Sequence, residues 1–188
     1  MHSDPARFSE AITLRSGAPA LVRAIRPDDS DRLQTAFRAL DPESVYLRYF
    51  SYKQELTEAD LDRLCNPDFR ERVVLVVTQD SGGAEIIIGS GGYVAHAAAD
   101  AARVAEVAFT VEEDVHGQGI SSRLLAILAG MARTDGIERL DAEVLSRNAA
   151  MLHVFEQSGL PMQVQPEEDG VVRLSLSLVA ATPPGASR

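Results

Sequence analysis

Hydrophobic and polar positions change their spacing repeatedly along this chain, and each change marks a predicted element. Short apolar runs at residues 11–14 and 20–25 flank the turn-forming cluster Ser16-Gly17-Ala18-Pro19, which predicts a hairpin. Pro27, Asp28, Asp29 and Ser30 then supply helix-starting side chains, and Leu33, Ala36, Phe37 and Leu40 recur at helical spacing. A second helix opens at Asp41-Pro42-Glu43-Ser44 and carries Val45, Leu47, Tyr49 and Phe50. A third opens at Thr57-Glu58-Ala59-Asp60 and ends near Cys65.

The period then shortens to two. Residues 73–78 and 85–88 are β-branched runs separated by Asp80-Ser81-Gly82-Gly83, a second hairpin signal. Gly89, Gly91 and Gly92 interrupt the later run, which predicts a bulge or a close backbone approach before Tyr93. Residues 103–111 read as a strand, 122–134 as a helix with Leu124, Leu125, Leu128 and Met131 on one face, and 140–145 as a strand. Asn148 begins a last helix closed by Gly159, and residues 162–164 and 171–178 form a final hairpin across Glu167-Glu168-Asp169-Gly170. The pattern therefore predicts one α/β (α+β) domain over 11–179, with a flexible N-terminus at 1–10, a disordered tail at 180–188 and no internal repeat.

Composition narrows the picture. The 188 residues suit one domain, and 45% hydrophobic with 24% charged residues is ordinary for a folded globular chain. No apolar run approaches the roughly 20 residues of a membrane span, and Met1-His2-Ser3-Asp4-Pro5 has neither the basic nor the apolar part of a signal peptide. A cytoplasmic protein with no membrane partner is expected. Eighteen basic against twenty-eight acidic side chains give a net charge of −10, which argues against nucleic acid and favours a cationic partner. Cys65 is the lone cysteine, so neither an internal disulfide nor a zinc-binding cysteine cluster can form. His2, His96 and His153 show no metal spacing, and no metal is expected.

The most informative stretch runs from Glu106 to Arg123, where a strand meets a glycine-rich turn and then a helix. Small residues at Gly117, Gly119 and Ser121 let a backbone pass close to a bulky ligand, and the first helical turn offers free N–H groups. Such a turn suits phosphates. A P-loop would need Lys after its second glycine, where Ile120 stands. A dinucleotide fingerprint would need glycine at Ser122, although Asp141 lies at a suitable distance downstream. The nucleophile-elbow pattern of serine hydrolases is absent around Ser121 and Ser122. A helix merely started by small residues is the structural alternative.

The segment resembles the coenzyme-binding motif of the GNAT superfamily of N-acetyltransferases: Gln or Arg, two residues, Gly, one residue, then Gly or Ala. His116, Gly119 and Ser121 occupy those positions, and Gly117-Gln118-Gly119-Ile120 reproduces the core of the motif. Residues 14–29 and 41–50 are similar to the acetyltransferase domain of Pat-type bacterial protein lysine acetyltransferases, and the likeness extends to about Leu178. The chain is too short for the acyl-CoA-synthetase-like or cyclic-nucleotide-binding regions often joined to that domain. The resemblance implies a mostly antiparallel sheet flanked by helices, with one splayed parallel strand pair. It implies acetyl-CoA as cosubstrate, with main-chain groups of Phe109, Thr110 and Val111 meeting the pantetheine arm. Those of His116, Gly117, Gln118, Gly119, Ile120, Ser121 and Ser122 would meet the pyrophosphate. Asn148 opens the family's next helix and often lies beside the coenzyme there; as plain chemistry it is equally a helix N-cap.

An amine acceptor must lose a proton before attacking a thioester, since a lysine ammonium has a pKa of about 10.4. Strand alternation puts Glu106, Ala108 and Thr110 on one face, so Glu106 is a carboxylate in an otherwise small or apolar strand. Partly desolvated, it would act as a general base, an effect worth roughly 10²- to 10⁴-fold. The resemblance assigns a glutamate at this strand position that role; the alternative is a strand Glu facing solvent. Many superfamily members protonate the leaving thiolate with a tyrosine, but that position is Phe155 here, and the sequence does not choose among Tyr46, Tyr49, Tyr93 and water. The main chain around 109–111 is placed to act as an oxyanion hole. The expected acceptor is a primary amine, by resemblance a protein lysine. A small amine is the alternative, as is a module that binds acyl-CoA without turnover, and a homodimer is left open.

Overall fold

The computed structural model describes residues 4–49, 53–98 and 102–179, with the side chains of 47–49 and 113 left aside. The chain opens with a 3-10 turn at Pro5–Arg7, capped by Asp4, and enters β1 (Ser9–Thr13) directly. The expected loose segment is therefore shorter: Ser9 and Glu10 pair with Arg23 and Val22 of β2 (Pro19–Ala24). A 3-10 turn at Pro27–Asp29 leads into α1 (Ser30–Ala39), followed by α2 (Pro42–Tyr49) and α3 (Glu58–Cys65). Thr57 and Asp60 close the start of α3 as a capping box, as their spacing predicts. Phe50 lies outside the described residues.

β3 (Arg72–Ser81) and β4 (Ala84–Ala97) form the long central hairpin, and β5 (Arg103–Val111) pairs antiparallel with β4 along its length. Val77 pairs with Gly89 but Thr78 pairs with Ile87, so Ile88 is the extra residue of a bulge beside the glycines. A Cβ on Gly92 would collide with the Val73 carbonyl, and one on Gly91 would lie 2.7 Å from the Phe109 ring, which explains both glycines. After β5 come α4 (Ile120–Thr134), β6 (Arg139–Leu145), α5 (Ala149–Glu156), β7 (Met162–Val164) and β8 (Val171–Ser177). α4 starts two residues earlier than the apolar periodicity predicts, because Gly119 takes a left-handed conformation (φ 87°) at its N-cap.

The eight strands lie in the order β1-β2-β3-β4-β5-β6-β8-β7, with every neighbouring pair antiparallel except β5 and β6. This is the mixed, mostly antiparallel sheet expected. Each face has its own apolar core. Leu124, Leu125 and Leu128 of α4 and Phe155 of α5 pack over Leu75, Val107 and Leu140 on one side. Leu33 and Phe37 of α1, Leu40, Leu56 and Cys65 cover Val74, Val76 and Ile87 on the other.

The second core is pinned by charge. Arg23 (1% exposed) makes a bidentate pair with Asp29 (0% exposed), with both bonds at 2.7 Å, and its Nε donates to Glu85 Oε1 at 3.0 Å. Asp29 also accepts from the Arg26 N–H at 2.8 Å. Burial alone would raise the Asp29 pKa, but the bonds from Arg23 and Arg26 bring it below the ordinary carboxylate value. The network joins β2, the turn before α1 and the outer end of β4.

Candidate active site

β5 and β6 pair over only Val104↔Arg139, Ala105↔Leu140 and Glu106↔Asp141, although both strands run on. Beyond Glu106 they part, which is the splay expected between two parallel strands. Glu112 N–H bonds the Ile88 carbonyl at 3.1 Å, and strand alternation then sends the main-chain groups of Ala108 and Thr110 toward β4. Those of Val107, Phe109 and Val111 turn toward the gap. Thr110 thus differs from expectation: its main chain belongs to the sheet, while Phe109 and Val111 present theirs to the opening. The Val111 carbonyl is already taken by His116, whose Nε2–H donates to it at 2.9 Å and ties the strand end to the turn.

The gap opens into a cleft of about 340 Å³ between the ends of β5 and β6, α4 and α5. At the end nearest the glycine-rich turn, the N–H groups of Gly119, Ile120, Ser121 and Ser122 donate to no acceptor among the described residues. They are the unsatisfied donors of a 15-residue helix, at the positive end of its dipole. Gly117 (φ 74°) and Gly119 (φ 87°) both need the left-handed region, and a Cβ on Gly117 would meet nothing within 4 Å. Both glycines are thus required by conformation, Gly117 by that alone. The Gln118 main-chain N–H meets the Val115 carbonyl at 3.4 Å, and its side-chain Oε1 accepts from the Ser16 N–H at 2.8 Å, which anchors the turn to the β1–β2 hairpin.

A second groove of about 400 Å³ lies on the other face of the sheet, beneath α1 and α3. Its floor is built of small residues, Ser90 and Gly92 on β4 and Ala108 and Thr110 on β5, between apolar walls from Leu33, Phe37 and Leu64. Glu106 lines both the groove and the cleft. Its side chain is exposed, and no hydrogen-bond or ion-pair partner holds it among the described residues. The expected desolvation is therefore not present in the open cleft; it requires something bound there.

A model of the acetyltransferase (GNAT) domain matches residues 20–161. The chain belongs to the GNAT acetyltransferase family. The GNAT domain is 31% identical over 148 residues to acetyltransferase Pat of Mycolicibacterium smegmatis, a match covering 79% of this chain and 43% of that protein. It thus spans less than half of that relative's length. The GNAT domain of S. lividans PAT superposes with a TM-score of 0.79 at 36% identity, covering 90% of this chain and 96% of that one. The Salmonella typhimurium yncA protein, solved with its cofactor acetyl-CoA, shares the fold at a TM-score of 0.66 and 18% identity, covering 89% and 99%.

Within this GNAT domain, Asn148 lines the cleft, yet its Oδ1 caps α5 by accepting from the Met151 N–H at 3.1 Å. Phe155 is buried against Phe109, with ring centroids 6.1 Å apart, and brings no hydroxyl. Tyr93 donates to Asp135 at 3.0 Å, and burial together with that carboxylate pushes its pKa up, so it is locked away from proton transfer. The Arg147 guanidinium sits 5.1 Å over the Tyr46 ring. Cys65 is packed in the second core, and burial with the charges of Asp29 and Asp62 pushes its thiol up to about 11. Two cleft residues were invisible to motif reading: Ser44 of α2 and Arg15 of the first hairpin. No helix among the described residues is long and apolar enough to cross a membrane, and none of their acidic, His or Cys groups cluster as a metal site.

Proposed function

We propose that this domain moves an acetyl group from acetyl-CoA to a primary amine, with a protein lysine as acceptor and Glu106 as general base. The observation that carries the reading is the Glu106 carboxylate, without a partner among the described residues, at the place where cleft and groove meet. The coenzyme's pyrophosphate would take the free N–H groups of Gly119 to Ser122, and its pantetheine arm the opening at Phe109 and Val111. The acceptor would enter along the groove under α1 and α3. The two substrates then approach the β5 strand from opposite faces, with the thioester carbon beside Glu106.

The amine nitrogen forms the new C–N bond, its proton passes to Glu106 directly or through one water, and the C–S bond breaks with the electron pair leaving on sulfur. A solvated carboxylate is a weak base for an ammonium near 10.4, but substrates filling both sides would exclude water from Glu106 and strengthen it as a base. The Phe109 or Val111 N–H would meet the thioester oxygen as it gains charge. No phenol lines the cleft among the described residues, so the thiolate leaves unaided or takes a proton from water. The lysine acceptor rests on the Pat-type likeness of residues 14–29 and 41–50.

The test is thiol release from acetyl-CoA against a panel of lysine peptides and small amines, with Glu106→Gln alongside the native protein. Acceptor-dependent release that drops roughly 10²- to 10⁴-fold in the variant is expected. Release driven only by small amines would replace the lysine acceptor. Coenzyme binding without release from any acceptor would leave a module that senses acyl-CoA.

A further inference from the structure

We propose that Arg15, on the turn between β1 and β2, is a phosphate-binding residue of the coenzyme cleft. The inference rests on the coenzyme reading above and adds to it a side-chain cation from a distant part of the chain. The glycine-rich turn is not free-standing. Arg15 Nη1 donates to the Gly117 carbonyl at 3.0 Å, the Arg15 N–H meets the Gln118 carbonyl at 3.4 Å, and the Ser16 N–H meets Gln118 Oε1 at 2.8 Å. These bonds bring the guanidinium over the start of α4: a Cβ added to Gly119 would lie 3.6 Å from Arg15 Nε. Arg15 also lines the cleft.

A guanidinium has five N–H donors, and the Gly117 carbonyl takes one of the Arg15 set. Its charge is met by no carboxylate among the described residues. The contrast with Arg123 is instructive, because it too stands at the turn, in the first turn of α4. Arg123 pairs with Glu10 of β1 and does not line the cleft. One arginine is spent on holding β1 to α4, and the other keeps its full charge beside four unsatisfied helix N–H groups. In a chain of net charge −10, an uncompensated cation at that point is where a phosphate gains most.

The competing role is mechanical: Arg15 could simply staple the hairpin to the turn. Arg15→Gln separates the two, since its amide keeps a donor for the Gly117 carbonyl and loses the charge. CoA binding by calorimetry is measured first on the native protein, then on Arg15→Gln and Arg15→Lys, together with kcat/KM for acetyl-CoA, acetyl-dephospho-CoA and S-acetylpantetheine. The expected result is CoA binding weakened about tenfold or more in Arg15→Gln, partly restored in Arg15→Lys, with a shallower salt dependence. The kcat/KM for S-acetylpantetheine, which has no phosphate, should move less than twofold. An equal loss with acetyl-dephospho-CoA assigns the contact to the pyrophosphate, and a smaller loss to the 3′-phosphate; either supports the inference. Equal losses with S-acetylpantetheine and acetyl-CoA, or no loss with either, would overturn it. No CoA binding by the native protein would overturn the coenzyme reading as well.

Discussion

The two faces of β5 are built by opposite means. On the α4 side, the open N–H groups and left-handed glycines come from the single stretch between Phe109 and Ser122, with Arg15 as the side chain brought to it from the β1–β2 turn. On the α1 and α3 side, the groove is made of side chains gathered from Leu33 on α1 to Glu112 after β5. Main-chain donors are indifferent to residue identity, so on the proposed reading the first face would recognise what is common to every acyl-CoA. Side-chain walls are specific to their residues, so on the same reading the second face would set the choice of acceptor. Glu106 belongs to both, and its replacement carries the largest effect expected in this protein.

The next largest effect concerns what holds each face in place. The groove side, proposed for the acceptor, hangs on the buried Arg23–Asp29 pair, whereas the cleft side, proposed for the coenzyme, rests on α4 and its apolar core. Asp29→Ala leaves Arg23 buried with Glu85 as its remaining carboxylate, and should cost about 3 kcal/mol. That corresponds to a drop of roughly 6–12 °C in the unfolding midpoint by calorimetry. In the fraction that remains folded, CoA affinity should change little and acceptor KM should rise. A parallel loss of both would mean that the two faces are not independently built.

The same pair predicts a pH dependence. Asp29 is held below the ordinary carboxylate range, so its contribution is complete above about pH 4, where the unfolded chain's carboxyl is already ionised. It is lost as pH falls through the lower folded-state value. Denaturant titrations between pH 6 and 2 should show native stability falling more steeply below about pH 4 than that of Asp29→Ala, which lacks this titration.

The contrast between faces also explains what could be read from sequence. The strands, the helices and the phosphate turn were legible because each is a local pattern: alternation in 103–111, helical spacing of Leu124, Leu125 and Leu128, small residues at 117, 119 and 121. The start of α4 was misplaced by two residues because Ile120 and Ser121 follow a glycine N-cap rather than a capping side chain. The anchoring side chain of Gln118, and Arg15 and Ser44, were missed for one reason. Their roles depend on contacts across the fold, such as Ser16 to Gln118 over 102 residues, which no local period encodes. The last hairpin was expected, but nothing in the residues of β8 announces that it inserts between β6 and β7.

Gly119→Ala sharpens the coenzyme side. At φ 87° an alanine is strained by about 1–2 kcal/mol, and the simplest relief is a rotation that turns the Gly119 and Ile120 N–H groups away from a common ligand. CoA affinity should fall about tenfold while acceptor KM is unchanged, read from initial rates with each substrate varied in turn at a saturating level of the other. A change confined to acceptor KM would reverse the assignment of the two faces.

The smallest effect is expected at Asn148, where cap and cleft coincide. Its Oδ1 is committed to the Met151 N–H, so Asn148→Ala should cost about 1 kcal/mol and lower the midpoint by roughly 2–4 °C. Asn148→Asp keeps the cap oxygen and should recover that stability. The amide NH₂ is then the only part left to serve a ligand, and Asn148→Asp replaces it with a negatively charged oxygen on a cleft wall. If the amide touches the coenzyme, CoA binding weakens in Asn148→Asp even though the helix is restored; unchanged binding would make Asn148 a cap alone, and the coenzyme face would then be built wholly from residues upstream of α5, with the last helix contributing shape rather than contacts.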